Sequence, residues 1–356
     1  MIIGAGVVGL FTSIFLKELH PEADILILER GPYSVGSSTR NAGFACFGSV
    51  SELLMDAEHM SPEEITAVIR MRWDGLNTMQ HILGKAAIGY EESGGYELFS
   101  SDENELLDSC RSGFSLANQW ASEATGKSSV YQWTSPPPGL KNTAAAIFNP
   151  YEASIDTGRM YASLLDTVRT RGIRILNGVR VNAVGGSKKP LVKCDLFTID
   201  CQKVFITTNA FARELFADLD VRPVRNQVLV TKEMANCPIR GIYHLDRGYF
   251  YFRNIGNRIL IGGGRHLLGT TEETAELGMT TAGKNLLESV LHQFIDTDES
   301  MDIEYAWSGI LGVSTMKTPI IAQVDENVYA GVRMGGMGVA ISSIVGKHLA
   351  ALGLQM

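Results

Sequence analysis

The sequence predicts an α/β protein in which a parallel sheet built on a βαβ unit stands beside an antiparallel sheet. Three observations predict it. An apolar run at the N-terminus, Met1-Ile2-Ile3, passes through Gly4-Ala5-Gly6-Val7-Val8-Gly9 into a stretch with Val8, Phe11, Phe15 and Leu19 at helical spacing. Strand-like and helix-like segments then alternate along the chain, as they do in wound α/β sheets. In the C-terminal half, residues 249–253 and 258–262 flank Asn254-Ile255-Gly256-Asn257 as a hairpin, which is antiparallel by construction.

Each further element has a local cause. Residues 24–29 form a strand, a run of Ile25, Leu26, Ile27 and Leu28 that ends on Glu29. Ser61-Pro62-Glu63-Glu64 combines an N-cap serine, proline at the first helical position and a capping-box glutamate, opening an amphipathic helix with Ile65, Ile69, Leu76 and Leu83. A second helix starts after Ser101. Ser135-Pro136-Pro137-Pro138-Gly139 is a stiff interruption that is expected to mark a crossing between domains. Residues 157–171 read as helix, 173–176 and 179–181 as extended pieces after Gly172, and 203–209 as a buried strand. Arg333-Met334-Gly335-Gly336-Met337-Gly338-Val339-Ala340 opens the last helix.

Bulk properties restrict the function. At 356 residues the chain exceeds the usual span of one compact unit, so one large or two interleaved domains are expected. Apolar residues make up 45% of it and charged residues 20%, the usage of an ordinary globule. A net charge of −8 leaves no broad basic surface, which argues against a nucleic-acid partner and for a small molecule. The five cysteines form no CxxC pair, an odd count that suggests a reducing compartment. The start of the sequence lacks signal-peptide features, and no apolar run reaches the roughly 18 to 20 residues that span a bilayer, so a cytoplasmic protein is expected. The seven histidines show no metal-ligand spacing, and no metal is expected.

The chemistry lies in the glycine turn. Gly4-Ala5-Gly6-Val7-Val8-Gly9 matches GxGxxG in the context it requires, between a strand and a helix. Gly4 permits the tight turn, Gly6 lets the backbone approach a pyrophosphate, and Gly9 allows close helix packing, while the helix N-terminus offers free N–H donors. Glu29 ends the second strand, where its carboxylate accepts both hydroxyl protons of an adenosine ribose and repels a 2′-phosphate. Two more segments favour FAD over NAD. Gly36-Ser37-Ser38-Thr39-Arg40-Asn41-Ala42-Gly43-Phe44 is a polar loop suited to a pyrophosphate and ribityl chain. The C-terminal glycine segment, Arg333 to Ala340, which opens the last helix, is the second.

With these residues in view, the sequence resembles the D-amino-acid oxidase superfamily of FAD-dependent oxidoreductases, in particular the branch with glycine oxidase, sarcosine oxidase and gamma-glutamylputrescine oxidase. The resemblance runs over nearly the whole chain. Its anchors are the glycine turn, Leu28-Glu29-Arg30, Ser38-Thr39-Arg40-Asn41-Ala42-Gly43, Thr208-Asn209-Ala210, Pro223-Val224-Arg225-Asn226-Gln227, Gly262-Gly263-Gly264 and the terminal glycine segment. It implies a Rossmann-like FAD-binding domain, a βαβ with parallel sheet, plus an α+β substrate domain with an antiparallel sheet. The expected ranges are 1–85, 149–219 and 308–356 for the first and 86–148 and 220–307 for the second.

The resemblance also implies a site. FAD would meet Gly4, Gly6, Val7, Val8, Gly9, Glu29, Arg30, Ser37, Ser38, Thr39, Asn41, Ala42, Gly43, Val181, Thr208, Asn209, Gly335, Gly336, Met337, Gly338 and Val339. The reaction implied is hydride transfer from the carbon bearing an amine to flavin N5, giving an imine that water hydrolyses, with oxygen or an electron carrier as acceptor. Tyr249 and Tyr251, placed on one strand face, are the catalytic candidates. Cys46 is expected to pack near the ring and Arg225 to sit at a domain interface.

One departure bears on the substrate. In Trp307-Ser308-Gly309-Ile310-Leu311-Gly312, glycine oxidase-like members place an arginine where Leu311 stands, and that arginine would grip an α-carboxylate. With leucine there, either the substrate is an amine without an α-carboxylate or Arg333, Arg253 or Arg265 supplies a relocated clamp. A second departure is the short lead of three residues before Gly4. An NAD-dependent dehydrogenase would share the fingerprint but not the other two segments, and a non-catalytic flavin-binding protein is the remaining alternative. The acidic charge argues against a tRNA substrate.

Overall fold

The computed structural model describes residues 1–186 and 188–354. β1 (Ile2–Ile3), α1 (Val7–Leu19) and β2 (Leu26–Glu29) are the expected βαβ opening. β3 (Phe44–Ala45), α2 (Val50–Asp56), α3 (Pro62–Leu83), β4 (Gly95–Ser100), α4 (Asn104–Thr125), β5 (Gln132–Thr134) and β6 (Thr143–Asn149) follow. Next come β7 (Ala153–Ser154), α5 (Thr157–Thr170), β8 (Arg174–Asn177), β9 (Val181–Gly185), β10 (Leu191–Cys194), β11 (Thr198–Asp200) and β12 (Val204–Ile206). β13 (Arg222–Thr231), β14 (Ile242–Leu245), β15 (Phe250–Ile255), β16 (Arg258–Gly263), α6 (Thr281–Phe294), β17 (Ile303–Val313), β18 (Ile320–Asp325), β19 (Val328–Val332) and α7 (Gly338–Leu352) complete the chain.

These strands form two large sheets. A six-stranded sheet in the order β18-β19-β12-β1-β2-β8 is parallel except for the edge strand β18. An eight-stranded sheet in the order β17-β13-β16-β15-β14-β4-β6-β5 is antiparallel except where β14 meets β4. The α/β class and its mixed sheets match the expectation. Among the described residues no helix is long and apolar enough to cross a membrane.

Local signals fixed the helices. Ser61 and Glu64 make both bonds of the capping box, at 3.3 and 2.8 Å, with Pro62 in the first turn. Helix α1 differs: Gly6 stands at its N-cap with no side-chain cap of its own. Ser38 Oγ accepts from Val7 N–H, and the N–H groups of Val8 and Gly9 have no acceptor among the described residues. Residues 7–16 of α1 are buried on every side, because α7 covers the face turned away from the sheet. Two glycines let the backbones close. A Cβ on Gly75 of α3 would lie 2.0 Å from the Ala340 carbonyl, and one on Gly346 of α7 would lie 2.8 Å from Phe11.

Three expectations need correction. The triple-proline segment joins β5 to β6, neighbours in one sheet, so it stiffens a hairpin and does not cross between domains. The boundary expected at residue 308 falls inside β17, a continuous strand that pairs with β13 along its length. The extended piece expected at 179–181 begins a separate three-stranded sheet, β11-β10-β9, held by pairings the sequence pattern did not reveal. Helix α2, capped by Ser49, was also not foreseen.

Gly75→Ala drives a methyl group into a backbone carbonyl and is expected to lower stability by about 1–3 kcal/mol. Urea denaturation should report it as a lower midpoint at unchanged slope.

Candidate active site

Helices α1 and α7 follow β1 and β19, which run parallel through β12, so both helices begin at the same edge of the sheet. In wound sheets that edge, at the carboxyl ends of the strands, is where ligands bind. Gly4 has φ +103°, a conformation that side chains rarely adopt. A Cβ on Gly9 would lie 2.1 Å from the Gly4 carbonyl, so the helix can start this close to the strand only with glycine there. Glu29 is buried, and its carboxylate accepts from Ala5 N–H at 3.0 Å and Gly31 N–H at 2.9 Å. Each oxygen keeps a lone pair for a further donor.

A cleft opens at this edge. Gly4, Gly6, Glu29, Arg30, Ser37, Ser38, Val181, Thr208 and Asn209 of the expected set line it. Arg30 stacks on Phe211 at 3.9 Å and pairs with Glu214 at 3.4 Å, closing the outer end. Ser38 Oγ accepts from Val7 N–H at 2.9 Å, which brings the polar loop against the helix N-terminus. Thr208 Oγ1 is sealed from solvent and has no partner among the described residues. A bare helix N-terminus, required glycines and an orphaned hydroxyl are the features a pyrophosphate and ribose would satisfy.

Other members of the set support the cleft from behind. Val7, Val8 and Gly9 are buried in α1. Thr39 donates to Ser34 and Gly36 carbonyls, and Asn41 joins Ser38, Gly43 and Thr157, so both shape the loop. Asn209, with φ +47°, turns its side-chain carbonyl to Arg333 and Met334 N–H at 3.0 and 3.2 Å, tying the C-terminal segment to the cleft. In that segment Gly335 N–H donates to Gly312 and Met337 N–H to Met334. Among the described residues, Gly336, Gly338 and Val339 have no backbone acceptor for theirs.

The loop continues onto the antiparallel sheet. By register, Asn226, Val228 and Val230 of β13 share one face with Trp307, Gly309 and Leu311 of β17, and with Tyr251, Arg253 and His244 further along. Ala42 and Phe44 pack there, in an apolar cluster with Val228, Val230, Leu260 and Trp307. Tyr251 lies across Gly262, where a Cβ would be 2.6 Å from the ring, and its hydroxyl accepts from Asn226 Nδ2 at 2.7 Å. Burial pushes this phenol up to about 12, against the pull of Arg265 and Asn226, so it stays neutral. Asn226 Oδ1 and Arg253 Nε are sealed from solvent and have no partner among the described residues. Burial lowers the Arg253 guanidinium to about 10 despite Glu91 and Asp156 nearby, and its Nη2 donates to the Ile155 carbonyl at 3.0 Å.

Two catalytic candidates are displaced. Arg333 cannot reach out as a clamp: its guanidinium pairs with Asp220 at 2.7 Å and donates to the Thr318 carbonyl at 2.9 Å. Tyr249 precedes β15, so it does not share the strand face of Tyr251, and its ring stacks on His266 at 4.3 Å. Arg225 pairs with buried Glu272 at 2.9 Å, within the antiparallel half and not between halves. Sequence reasoning missed Asn226 as a site residue, although it stood in a quoted motif. Its face was readable only once β13 was in register with β17.

A buried charge network borders this region. Arg72 pairs with Glu52 at 3.0 Å, and Lys317 reaches Glu52 at 3.5 Å and Asp56 at 3.2 Å. Burial raises the Glu52 pKa, but Arg72 and Lys317 overrule it and hold the carboxyl at about 2.

Known proteins share this fold and point to its family. The family model described as DAO, FAD dependent oxidoreductase, matches residues 1–352. Among solved structures, glycine oxidase from Geobacillus kaustophilus superposes with TM-score 0.81 at 18% identity, covering 99% of this chain and 93% of that one. L-proline dehydrogenase from P. horikoshii gives 0.76 at 16%, covering 99% and 91%. L-amino acid deaminase from Proteus vulgaris gives 0.76 at 16%, covering 99% and 92%. No curated protein matches the sequence.

Glu29→Arg replaces two charge-assisted acceptors, worth about 1.5–3 kcal/mol each, with a cation. The purified variant should be folded by circular dichroism and lack flavin absorbance. A second expectation concerns acid. Glu52 is ionised in the fold far below its unfolded pKa of about 4.3, so its contribution is present above that value and is lost as pH falls toward 2. Glu52→Gln should therefore be less stable than the parent near neutral pH, with the difference shrinking between about pH 5 and pH 2 in chemical denaturation.

Proposed function

The chain belongs to the FAD-dependent oxidoreductase family, and from that premise we propose that it oxidises the carbon–nitrogen bond of a small amine or amino acid. Bound FAD would accept a hydride from the carbon bearing the amine, leaving an imine that water hydrolyses. Gly4, Gly6 and the α1 N-terminus hold the pyrophosphate, Glu29 the adenosine ribose, and Ser37, Ser38 and Thr208 the chain between. The free N–H groups of Gly336, Gly338 and Val339 stabilise negative charge at the α7 N-terminus.

The antiparallel face is the substrate wall in this reading. Ala42, Phe44, Val228, Leu260 and Trp307 keep water out, and Asn226 with Tyr251 orients the amine. The observation that carries it is the orphaned Asn226 Oδ1, a buried acceptor on the face where the polar loop lands. An amine N–H is the donor it lacks. A neutral phenol and amide suit the neutral amine, the form able to give up a hydride.

Leu311 stands 3.9 Å from a Cβ built on Gly336, so the wall beside the α7 N-terminus is apolar. With Arg333 tied to Asp220, this favours an amine without an α-carboxylate. Arg253 favours a second reading, in which its buried guanidinium, without an acidic hydrogen-bond partner, grips a carboxylate. Anaerobic stopped-flow reduction with putrescine derivatives, secondary amines, glycine, sarcosine and longer D-amino acids separates the two. Amines without an α-carboxylate should reduce the flavin fastest, and Asn226→Ala should slow that reduction tenfold or more, about 1.4 kcal/mol. Fast reduction by sarcosine that Arg253→Ala abolishes would establish the second reading. Equal reduction in both Arg253→Ala and Asn226→Ala would remove this face from the substrate site.

A further inference from the structure

Below Phe44, three side chains from distant segments converge. Cys46 follows β3, Glu152 precedes β7 and His244 lies in β14, yet a thiol sulfur, a carboxylate oxygen and an imidazole nitrogen all lie within 4.8 Å of one another. Glu152 and His244 are buried and Cys46 partly so, and the proposed oxidation uses none of them.

We propose that Cys46, Glu152 and His244 form a binding site for a thiophilic divalent cation of the zinc class, with a water completing the coordination. The donor set is the first argument. Thiolate, carboxylate and imidazole are the three side chains zinc takes, and three protein ligands with an open fourth position is a common arrangement. Charge is the second. Of the buried carboxylates nearby, Glu52 and Asp56 are paired with Arg72 and Lys317, and Glu97 is bonded by Ser51 N–H at 3.2 Å and by the Ser51 hydroxyl. Glu152 has only His244 at 3.0 Å and a long bond from Phe47 N–H at 3.4 Å. Among the described residues His244 alone can supply Glu152 with a counter-charge, a role that a divalent cation held by both side chains would take over.

Geometry is the third argument. A Cβ on Gly95 would lie 2.1 Å from Glu152 Oε2, so only glycine there lets this carboxylate sit against β4 and reach His244. The 3.0 Å between Glu152 and His244 is close to the edge of about 3.3 Å expected between two ligands bound at about 2.0 Å to a tetrahedral ion. The sulfur lies within 4.8 Å of both other ligand atoms, so its bond to the ion would require a rotation of the Cys46 side chain. Metal entry displaces to solvent the Cys46 thiol proton and the Nε2 proton of the imidazolium that pairs with Glu152, so that Nε2 ligates as neutral imidazole with its remaining proton on Nδ1. The ion would fasten β3 and β7 to the antiparallel sheet through β14. Sequence spacing could not reveal the site, because no two of its ligands share a segment.

The test uses the FAD-loaded protein, dialysed against zinc chloride and then freed of excess metal. About one zinc per chain is expected, with X-ray absorption showing one sulfur near 2.3 Å and nitrogen or oxygen near 2.0–2.1 Å. Cys46→Ser and Glu152→Gln should each bind zinc at least tenfold more weakly while keeping their flavin spectrum and circular dichroism. Zinc should raise the melting temperature of the parent by several degrees and leave both variants unmoved. A parent that retains no zinc overturns the proposal, as does zinc held equally by both variants or in a shell without sulfur. None of these readouts depends on turnover, so the metal site and the amine-oxidation reading stand or fall separately.

Discussion

How closely α1 approaches the end of β1 governs the rest of the molecule. With Gly9 against the Gly4 carbonyl, the helix N-terminus opens directly at the sheet edge, and Glu29 clamps the turn by bonding Ala5 and Gly31 N–H. A larger residue at either glycine would push the helix outward and close the space in which a pyrophosphate fits. β1 has only two residues, yet it sits between β2 and β12, so neighbours on both sides hold a strand that could not hold itself. The short lead before Gly4 is therefore compatible with an ordered turn.

α7 repeats this logic with weaker chemistry. It starts at the same edge, after Gly335 and Gly336 at φ +59° and +89°, and close contacts at Gly75 and Gly346 pack it against α3 and α1. Asn209 joins the two ends: its backbone lines the cleft while its amide oxygen holds the turn that leads into α7. A rigid frame of this kind sets two helix N-termini at one sheet edge without a charged side chain at either, an arrangement suited to an anionic ligand. That explains why the region depends on glycines and small polar residues.

What could be read from the sequence was what neighbouring residues decide together. The glycine turn, the Ser61 capping box and the hairpin are each settled within a few residues and each formed, the hairpin with Asn254 and Ile255 paired in β15 so that its turn shortens to Gly256-Asn257. Readings that depended on distant partners fared worse. Arg333 looked free, but Asp220 claims it from over a hundred residues away. Tyr249 and Tyr251 alternate like strand residues, yet β15 starts one residue later and leaves Tyr249 on His266. The proline run signalled stiffness correctly and its topological meaning wrongly, because stiffness serves a hairpin as well as a linker. Asn226 lay within a quoted motif, but its importance comes from facing Tyr251 across β16, which no local pattern encodes.

The antiparallel face divides by polarity, and the division constrains the chemistry. Around Ala42, Phe44, Val228, Leu260 and Trp307 it is apolar, with one amide and one phenol between them. Toward β4 it becomes crowded with charge, where Glu97, Glu152 and His244 meet the network of Glu52, Asp56, Arg72 and Lys317. In the proposed reading, a low dielectric at the first patch would raise the cost of a charged reactant there and favour a neutral amine over its ammonium form. The second patch shows that the fold does tolerate buried charge, but only where each carboxylate finds a counter-charge or several donors. Arg253 stands at the boundary between them, with one backbone carbonyl bonded and Nε left bare. Gly43 packs directly on this guanidinium: a Cβ there would lie 2.7 Å from Nη2 and 2.3 Å from the Ile155 carbonyl that Nη2 bonds, so a side chain at that position would force the two apart.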